Sequence, residues 1–171
     1  MATQKTIWIA VGAIVLLLIA PGLLQAATAT TMTDVLTAAG QLIPQFEGFR
    51  AHPYWDVSRY SWGYGTPAPG PTGTITQAQA LADLQAHIAS DYRELSPQIT
   101  RDLTVNQWAA LASFAYNLGT GNPGAGALVG DINSGDDAKL ETHWKKYIYA
   151  GDVVNDDLVA RRNAEWDIWV S

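Results

Sequence analysis

Apolar residues occur in this chain first as one unbroken block and then as a series of short periodic runs. The block is Ile7-Trp8-Ile9-Ala10-Val11-Gly12-Ala13-Ile14-Val15-Leu16-Leu17-Leu18-Ile19-Ala20, followed by Pro21-Gly22-Leu23-Leu24. From residue 34 the spacing turns helical. Val35, Leu36, Leu42, Ile43 and Phe46 predict a helix over residues 34–49, with Thr33 placed to cap its start. Pro44 inside that run removes a backbone donor and predicts a kink one turn before Glu47. Residues 54–64 read as a small β-hairpin, expected to be the only sheet of the chain. Pro67-Ala68-Pro69-Gly70-Pro71-Thr72-Gly73 reads as a stiff loop.

Helices dominate the remainder. Thr76-Gln77-Ala78-Gln79 has capping-box spacing and opens a helix that must end before Pro97. Thr104-Val105-Asn106-Gln107 repeats the signature for a helix running to Gly119, a C-cap. Residues 119–126 read as a flexible turn before a short segment at 127–132. A further helix is expected over 136–149, and Asp156 or Asp157 opens the last one, which carries Leu158, Trp166, Ile168 and Trp169. The expected architecture is α+β: a small sheet-bearing lobe, a larger helical lobe and a cleft between them, preceded by an N-terminal hydrophobic helix. The division is residues 1–29 as signal or anchor and 30–171 as the globular domain.

The candidate chemistry lies at the lobe junction. Glu47 stands between Phe46 and Phe49, where loss of water favours a protonated acid, and Asp56 stands beside Ser58, Arg59 and Ser61, which can partner an anion. Two carboxylates in unlike surroundings are what glycoside hydrolysis requires: one donates a proton to the leaving oxygen, and the other directs a water or attacks the sugar. With 16 acidic residues in the chain, such a pair alone reads more readily as two surface charges. The following Ser61-Trp62-Gly63-Tyr64-Gly65 adds weight, because glycines in a strand mark close backbone approach.

Taken together, Glu47-Gly48-Phe49-Arg50, Tyr54-Trp55-Asp56 and Ser61-Trp62-Gly63-Tyr64-Gly65-Thr66 resemble the phage-type lysozymes, the endolysin family (glycoside hydrolase family 24) that cleaves bacterial peptidoglycan. That family's pattern is Glu-Gly-x-Arg, Tyr-x-Asp and Thr-x-Gly-Tyr-Gly-His. The likeness continues through Gly73-Thr74-Ile75-Thr76-Gln77-Ala78-Gln79-Ala80, the core-helix segment Gln107-Trp108-Ala109-Ala110-Leu111-Ala112-Ser113-Phe114-Ala115-Tyr116-Asn117-Leu118-Gly119, and Leu158-Val159-Ala160-Arg161-Arg162-Asn163-Ala164-Glu165, and so covers residues 33–171. It implies a lysozyme-like fold and hydrolysis, with inversion, of the β-1,4 bond between N-acetylmuramic acid and N-acetylglucosamine. It also implies catalytic roles for Glu47 as general acid, Asp56 as holder of the attacking water and Ser61 as the hydroxyl that helps to position that water. Arg161 is implied to approach Glu47 and tune its protonation, with its neighbour Arg162 as the other candidate. Tyr116 and Asn117 are implied to contact the sugar N-acetyl groups, although Asn117 also fits a helix-end cap. Tyr64, like Trp55 and Trp62, is placed to stack on a sugar face, whereas Trp62 also fits the core of the small lobe. Three features depart from the pattern: Ser61 replaces Thr, it follows Asp56 by one residue fewer, so the hairpin must be tighter, and Thr66 replaces His.

Charge and targeting complete the picture. Net charge is −6, with 10 Lys plus Arg against 16 Asp plus Glu, and Lys5 is the only charge before Asp34, so the remainder stands at −7. That balance opposes nucleic-acid binding and is unusual for an enzyme of an anionic cell wall, an arrangement suited to a salty working environment. The chain has no cysteine, so neither a disulfide nor a regulatory thiol is available. The N-terminal block admits a cleaved signal peptide, a retained anchor through residues 6–29, or a signal-arrest-release segment, and each version exports the C-terminal part towards the periplasm or the outer face of the inner membrane. The expected partners are peptidoglycan and the membrane, with the protein monomeric and free of cofactor. His52, His87 and His143 have no metal-ligand spacing. Two other functions stay open on the sequence: a lytic transglycosylase needing one acid alone, and a non-catalytic wall-binding protein of the envelope or virion.

Overall fold

The computed structural model describes residues 30–171. The expected N-terminal hydrophobic helix, with its membrane segment, falls in residues 1–29 and lies outside the described residues. Among the described residues no helix is long and apolar enough to cross a membrane.

The first helical stretch is two helices, α1 (Met32–Leu42) and the single turn α2 (Pro44–Glu47). Its cap is Thr31 rather than Thr33. The Thr31 hydroxyl accepts the Asp34 N–H while the Asp34 carboxylate accepts the Thr31 N–H, and only Thr31 of the two threonines has an acid three places on. Pro44 does more than kink the run. It starts α2, and Gly48 closes that turn at φ 64°, so Glu47 is the last helical residue before the chain turns into the small lobe.

That lobe is a three-stranded antiparallel sheet of β1 (Arg50–Asp56), β2 (Arg59–Gly63) and β3 (Thr66–Pro67) in the order β1-β2-β3. Tyr54 pairs with Ser61, Trp55 with Tyr60 and Asp56 with Arg59, and the register is irregular between Arg50 and Tyr54, where Pro53 has no N–H to donate. The tight reversal expected from the spacing is present: Val57 and Ser58 alone join β1 to β2, and the Ser58 N–H bonds back to the Asp56 carbonyl. Gly63 fastens the sheet to the next helix. A Cβ at this residue (φ 60°) would lie 2.8 Å from the Ala80 Cβ.

Helix α3 (Gln77–Leu95) starts at the expected Thr76–Gln79 capping box and gives way to a 3-10 turn at Ser96–Gln98. Helix α4 (Val105–Leu118) likewise begins at the Thr104–Gln107 box and ends at Gly119. Every residue of α4 from Trp108 to Ala115 is buried, which makes this helix the axis of the large lobe. On one side Ala109 and Ala112 join Ala39, Ile43, Leu84 and Ile88, with Tyr64 and Tyr116 packed alongside. On the other, Trp108, Leu111 and Phe114 meet Leu128, Ile132, Leu140, Trp144, Trp166 and Trp169.

Three expectations are corrected in the C-terminal half. Of the turn expected over 119–126 only 119–122 remains, and the rest joins the short segment expected at 127–132 in one helix, α5 (Pro123–Ser134). Its glycines each cost helix stability, but the Asn122 side chain caps the Gly124 N–H at 2.8 Å, Pro123 fits the first turn, and Leu128 and Ile132 are fully buried. Gly124 is also a packing requirement, since a Cβ there would stand 2.2 Å from the Tyr147 hydroxyl. The helix expected to reach residue 149 is the shorter α6 (Asp137–Trp144), capped by Asp136. Beyond it, β4 (Tyr149–Ala150) and β5 (Val153–Val154) form a second antiparallel sheet, so the first hairpin is not the only one. Gly151 turns it at φ 64°, the position that a two-residue hairpin gives to glycine. Helix α7 (Asp156–Trp169), capped by Asn155, closes the chain against α4.

Candidate active site

The end of α2 brings Glu47 onto α7. Arg161 Nη1 donates to Glu47 Oε1 at 2.6 Å, with the Arg161 side chain 5% and the Glu47 side chain 23% exposed. What meets the carboxylate is therefore a guanidinium, where the sequence suggested an apolar enclosure by Phe46 and Phe49. Phe46 lies beneath that guanidinium, 5.0 Å from ring centre to Arg161 Cζ, and Phe49 packs against Tyr64 at 5.8 Å. Gly65 (φ 93°) approaches the other carboxylate oxygen. A Cβ on it would come within 3.6 Å of Glu47 Oε2 and 3.7 Å of the Tyr116 hydroxyl.

Arg161 has no freedom to swing. Its Nε donates to Glu165 Oε1 at 3.1 Å and its Nη2 to the Ser113 carbonyl at 3.0 Å, so all three nitrogens of the guanidinium are engaged. Arg162, its neighbour, turns elsewhere. It lies over the Phe114 ring, donates from Nη2 to Asn117 Oδ1 at 2.9 Å, and brings Nε within 3.0 Å of Glu165 Oε2. Burial pulls Arg162 down to about 10, against the upward pull of Glu165, so it remains charged at neutral pH. Of the two arginines, Arg161 is thus the one beside Glu47. The Asn117 carbonyl oxygen is taken by Arg162, so what Asn117 can offer a ligand is its amide N–H, and the end of α4 is capped by Gly119.

Asp56 sits at the last position of β1, and its Oδ2 accepts from the Ser61 hydroxyl at 3.4 Å. Ser61 is fully buried, so its hydroxyl reaches the surface of the site only by way of Asp56. Arg59 stands opposite Asp56 in the register, and Ser58 engages it through the backbone. Tyr54 lies two residues along the same strand and so on the same face as Asp56, with the Arg50 guanidinium over its ring at 4.3 Å. Burial, then the charge of Asp56, pushes its phenol above the ordinary tyrosine value, and Glu47 adds to the effect.

Tyr116 completes the junction. Its hydroxyl donates to the Tyr64 carbonyl at 2.8 Å, and the His87 ring meets it edge-on at 4.8 Å. Burial and then the Glu47 charge push its phenol well above the tyrosine range, so it stays a neutral donor. Tyr64 takes part through its carbonyl and through its ring, which packs on Phe49. Trp55 is 62% exposed beside Asp56, while Trp62 is half-buried with its indole N–H unpartnered. Thr66 is buried in β3, also without a partner for its hydroxyl. Among the described residues no group of His, Asp and Glu is arranged to hold a metal ion.

The residue that the sequence did not single out is Glu165. It is completely buried and gathers the Ser113 hydroxyl at 2.6 Å, the Trp144 indole N–H at 3.0 Å, and both arginines. The available signal was its spacing, four residues after Arg161 and three after Arg162 on one helix face.

Comparison with known proteins identifies the family. The phage lysozyme family model matches residues 44–165. A SAR-endolysin of Bacteriophage PS119 is 33% identical over 129 residues, covering 71% of this chain and 75% of the relative. A SAR-endolysin of Enterobacteria phage PA-2 is 31% identical over 129 residues, covering 71% and 76%. Among solved structures, the muramidase domain of SpmX from Asticaccaulis excentricus superimposes with a TM-score of 0.72 at 24% identity, covering 78% of this chain and 95% of that one. The endolysin from Escherichia coli O157:H7 phage FAHEc1 gives 0.66 at 25% identity, covering 78% and 91%. With the family model spanning the small lobe, α3, α4 and the arginines of α7, this chain belongs to the phage lysozyme family.

Proposed function

We propose that this chain hydrolyses the β-1,4 bond between N-acetylmuramic acid and N-acetylglucosamine, with Glu47 as proton donor and Asp56 as the base for the attacking water. The coarser statement follows from the family: the chain is a peptidoglycan-lytic enzyme. The finer one is supported above all by the Arg161–Glu47 pair at 2.6 Å, which fixes a carboxylate where α2 enters the small lobe that carries Asp56.

In this reading Glu47 delivers its proton to the glycosidic oxygen as the bond from that oxygen to the anomeric carbon breaks. A water held by Asp56 attacks the anomeric carbon from the opposite face and gives its proton to the carboxylate. Ser61 orients Asp56 through its hydroxyl. Tyr116, neutral throughout, keeps the Gly65 turn against Glu47 by holding the Tyr64 carbonyl. Arg161 fixes the direction of Glu47 and steadies the negative charge it carries once the proton has left. The Asn117 amide and the faces of Tyr64 and Trp55 are the candidate sugar contacts. Residues 1–29 serve in this reading as the export segment, supported by their unbroken apolar block and by the SAR-endolysin relatives.

Digestion of purified peptidoglycan by the full chain, with mass spectrometry of the released fragments, tests the reaction. Reducing N-acetylmuramic acid ends are the expected product. Anhydro ends would replace it with a transglycosylase, and an absence of products would leave a wall-binding protein.

A further inference from the structure

Glu47, Arg161, Glu165 and Arg162 form one connected chain of alternating charge, two negative and two positive. It begins in the cleft and ends in the core between α4, α6 and α7. Glu165 is its hub, yet it is completely buried and touches no surface a substrate could reach. We propose that Glu165 is a positioning residue that holds the two arginines in fixed, divergent directions, one serving Glu47 and the other Asn117. The proposal rests on the reading of Glu47 as proton donor.

The geometry carries it. A guanidinium is a planar fork, so fixing two of its nitrogens fixes the third. Arg161 is pinned at Nε by Glu165 and at Nη2 by the Ser113 carbonyl, which leaves Nη1 one direction, towards Glu47 Oε1. Glu165 is itself clamped by donors from three helices: Ser113 of α4, Trp144 of α6 and Arg162 of α7. Through Arg162 the same carboxylate also locates Asn117. A single buried anion thus sets the direction of the acid and of a candidate sugar contact on the opposite end of α4 from its capping box. Burying three charges is worthwhile here as specificity of placement, since an apolar cluster would fill the same space without aiming anything.

Charge makes the proposal distinguishable from a purely structural role. The groups facing Glu165 are Arg161, Arg162, Ser113 and Trp144, while those around Glu47 are Arg161, Tyr116 and Tyr54. Replacing Glu165 with glutamine leaves one uncompensated positive charge acting through Arg161 on the proton donor. The full chain and its E165Q and S113A variants are compared for kcat and KM on soluble glycan-strand fragments, over the acid-to-neutral range, with thermal unfolding as the check on folding. E165Q is expected to lower kcat by about tenfold to a hundredfold with little change in KM, because the donor is misplaced rather than the substrate. It also moves the alkaline limb of the rate profile to lower pH, because the added positive charge favours the carboxylate. S113A keeps every charge but removes a donor to Glu165, so it lowers kcat severalfold and leaves the limb in place.

Folded E165Q with wild-type kcat and an unmoved limb would overturn the proposal. If E165Q does not fold, S113A decides: a loss confined to kcat upholds the proposal and wild-type kcat refutes it. Full activity in E47Q would instead sink the reading of the cleft on which the proposal stands, and is a separate result.

Discussion

The two carboxylates of the proposed site are held in opposite ways. Glu47 is gripped by a guanidinium that is itself fixed at every nitrogen, within a network reaching the centre of the large lobe. Asp56 stands at the end of a strand, next to a two-residue reversal, and takes a single side-chain hydrogen bond at 3.4 Å. The next residue, Val57, is 93% exposed and adopts φ 49°, a region that a β-branched side chain rarely enters. The contrast matches the two tasks proposed for them. A proton donor must meet one oxygen in one geometry, whereas a base that holds a water has the water's own mobility to absorb small errors. The molecule spends its rigid framework on the first and leaves the second on a strained, exposed tip.

The contrast breaks if the two sides respond alike to substitution. The largest effect is expected for Glu47→Gln, which keeps shape and removes the proton: turnover falls about a thousandfold, roughly 4 kcal/mol of barrier, with the fold intact by circular dichroism. Arg161→Ala comes next, because it strips Glu47 of its guanidinium and the buried Glu165 of one of its two arginines. Stability in urea is expected to drop by about 3 kcal/mol, and a loss below 1 kcal/mol would show that the network is not rigid. Ser61→Ala, on the other side, removes only a long hydrogen bond and should cost less than about tenfold in kcat, with stability nearly unchanged. The smallest effect sharpens the comparison. Val57→Asn places a residue tolerant of positive φ at an exposed turn, and should raise stability by about 1 kcal/mol, or Tm by about 2–4 °C.

Much of this was legible in the chain because its signals are local. The Thr76 and Thr104 boxes each reach only three residues, and both helices start where those boxes place them. Thr31 was missed for the same box because Thr33 lay closer to the apolar run. Helix α5 was hidden by its glycines, whose local cost is overridden by burial of Leu128 and Ile132 and by the seat that Gly124 makes for Tyr147. The second hairpin had only two residues per strand to announce it. In the site, the order Glu47, Asp56, Ser61 could be read as a motif, and Arg161 through resemblance. Glu165 could not. Its importance depends on Ser113, 52 residues earlier, and on Trp144, 21 residues earlier, and no local pattern encodes such a meeting.

The bond between Arg161 and Glu47 joins residues 114 places apart. A chain made from its N-terminus presents Glu47, Asp56 and Ser61 early, yet the partner of the acid arrives only with the closing helix. Synthesis therefore passes residue 161 before Glu47 has its partner. A fragment stopped ahead of Asn155 would carry the whole recognisable motif and still lack the group that aims it.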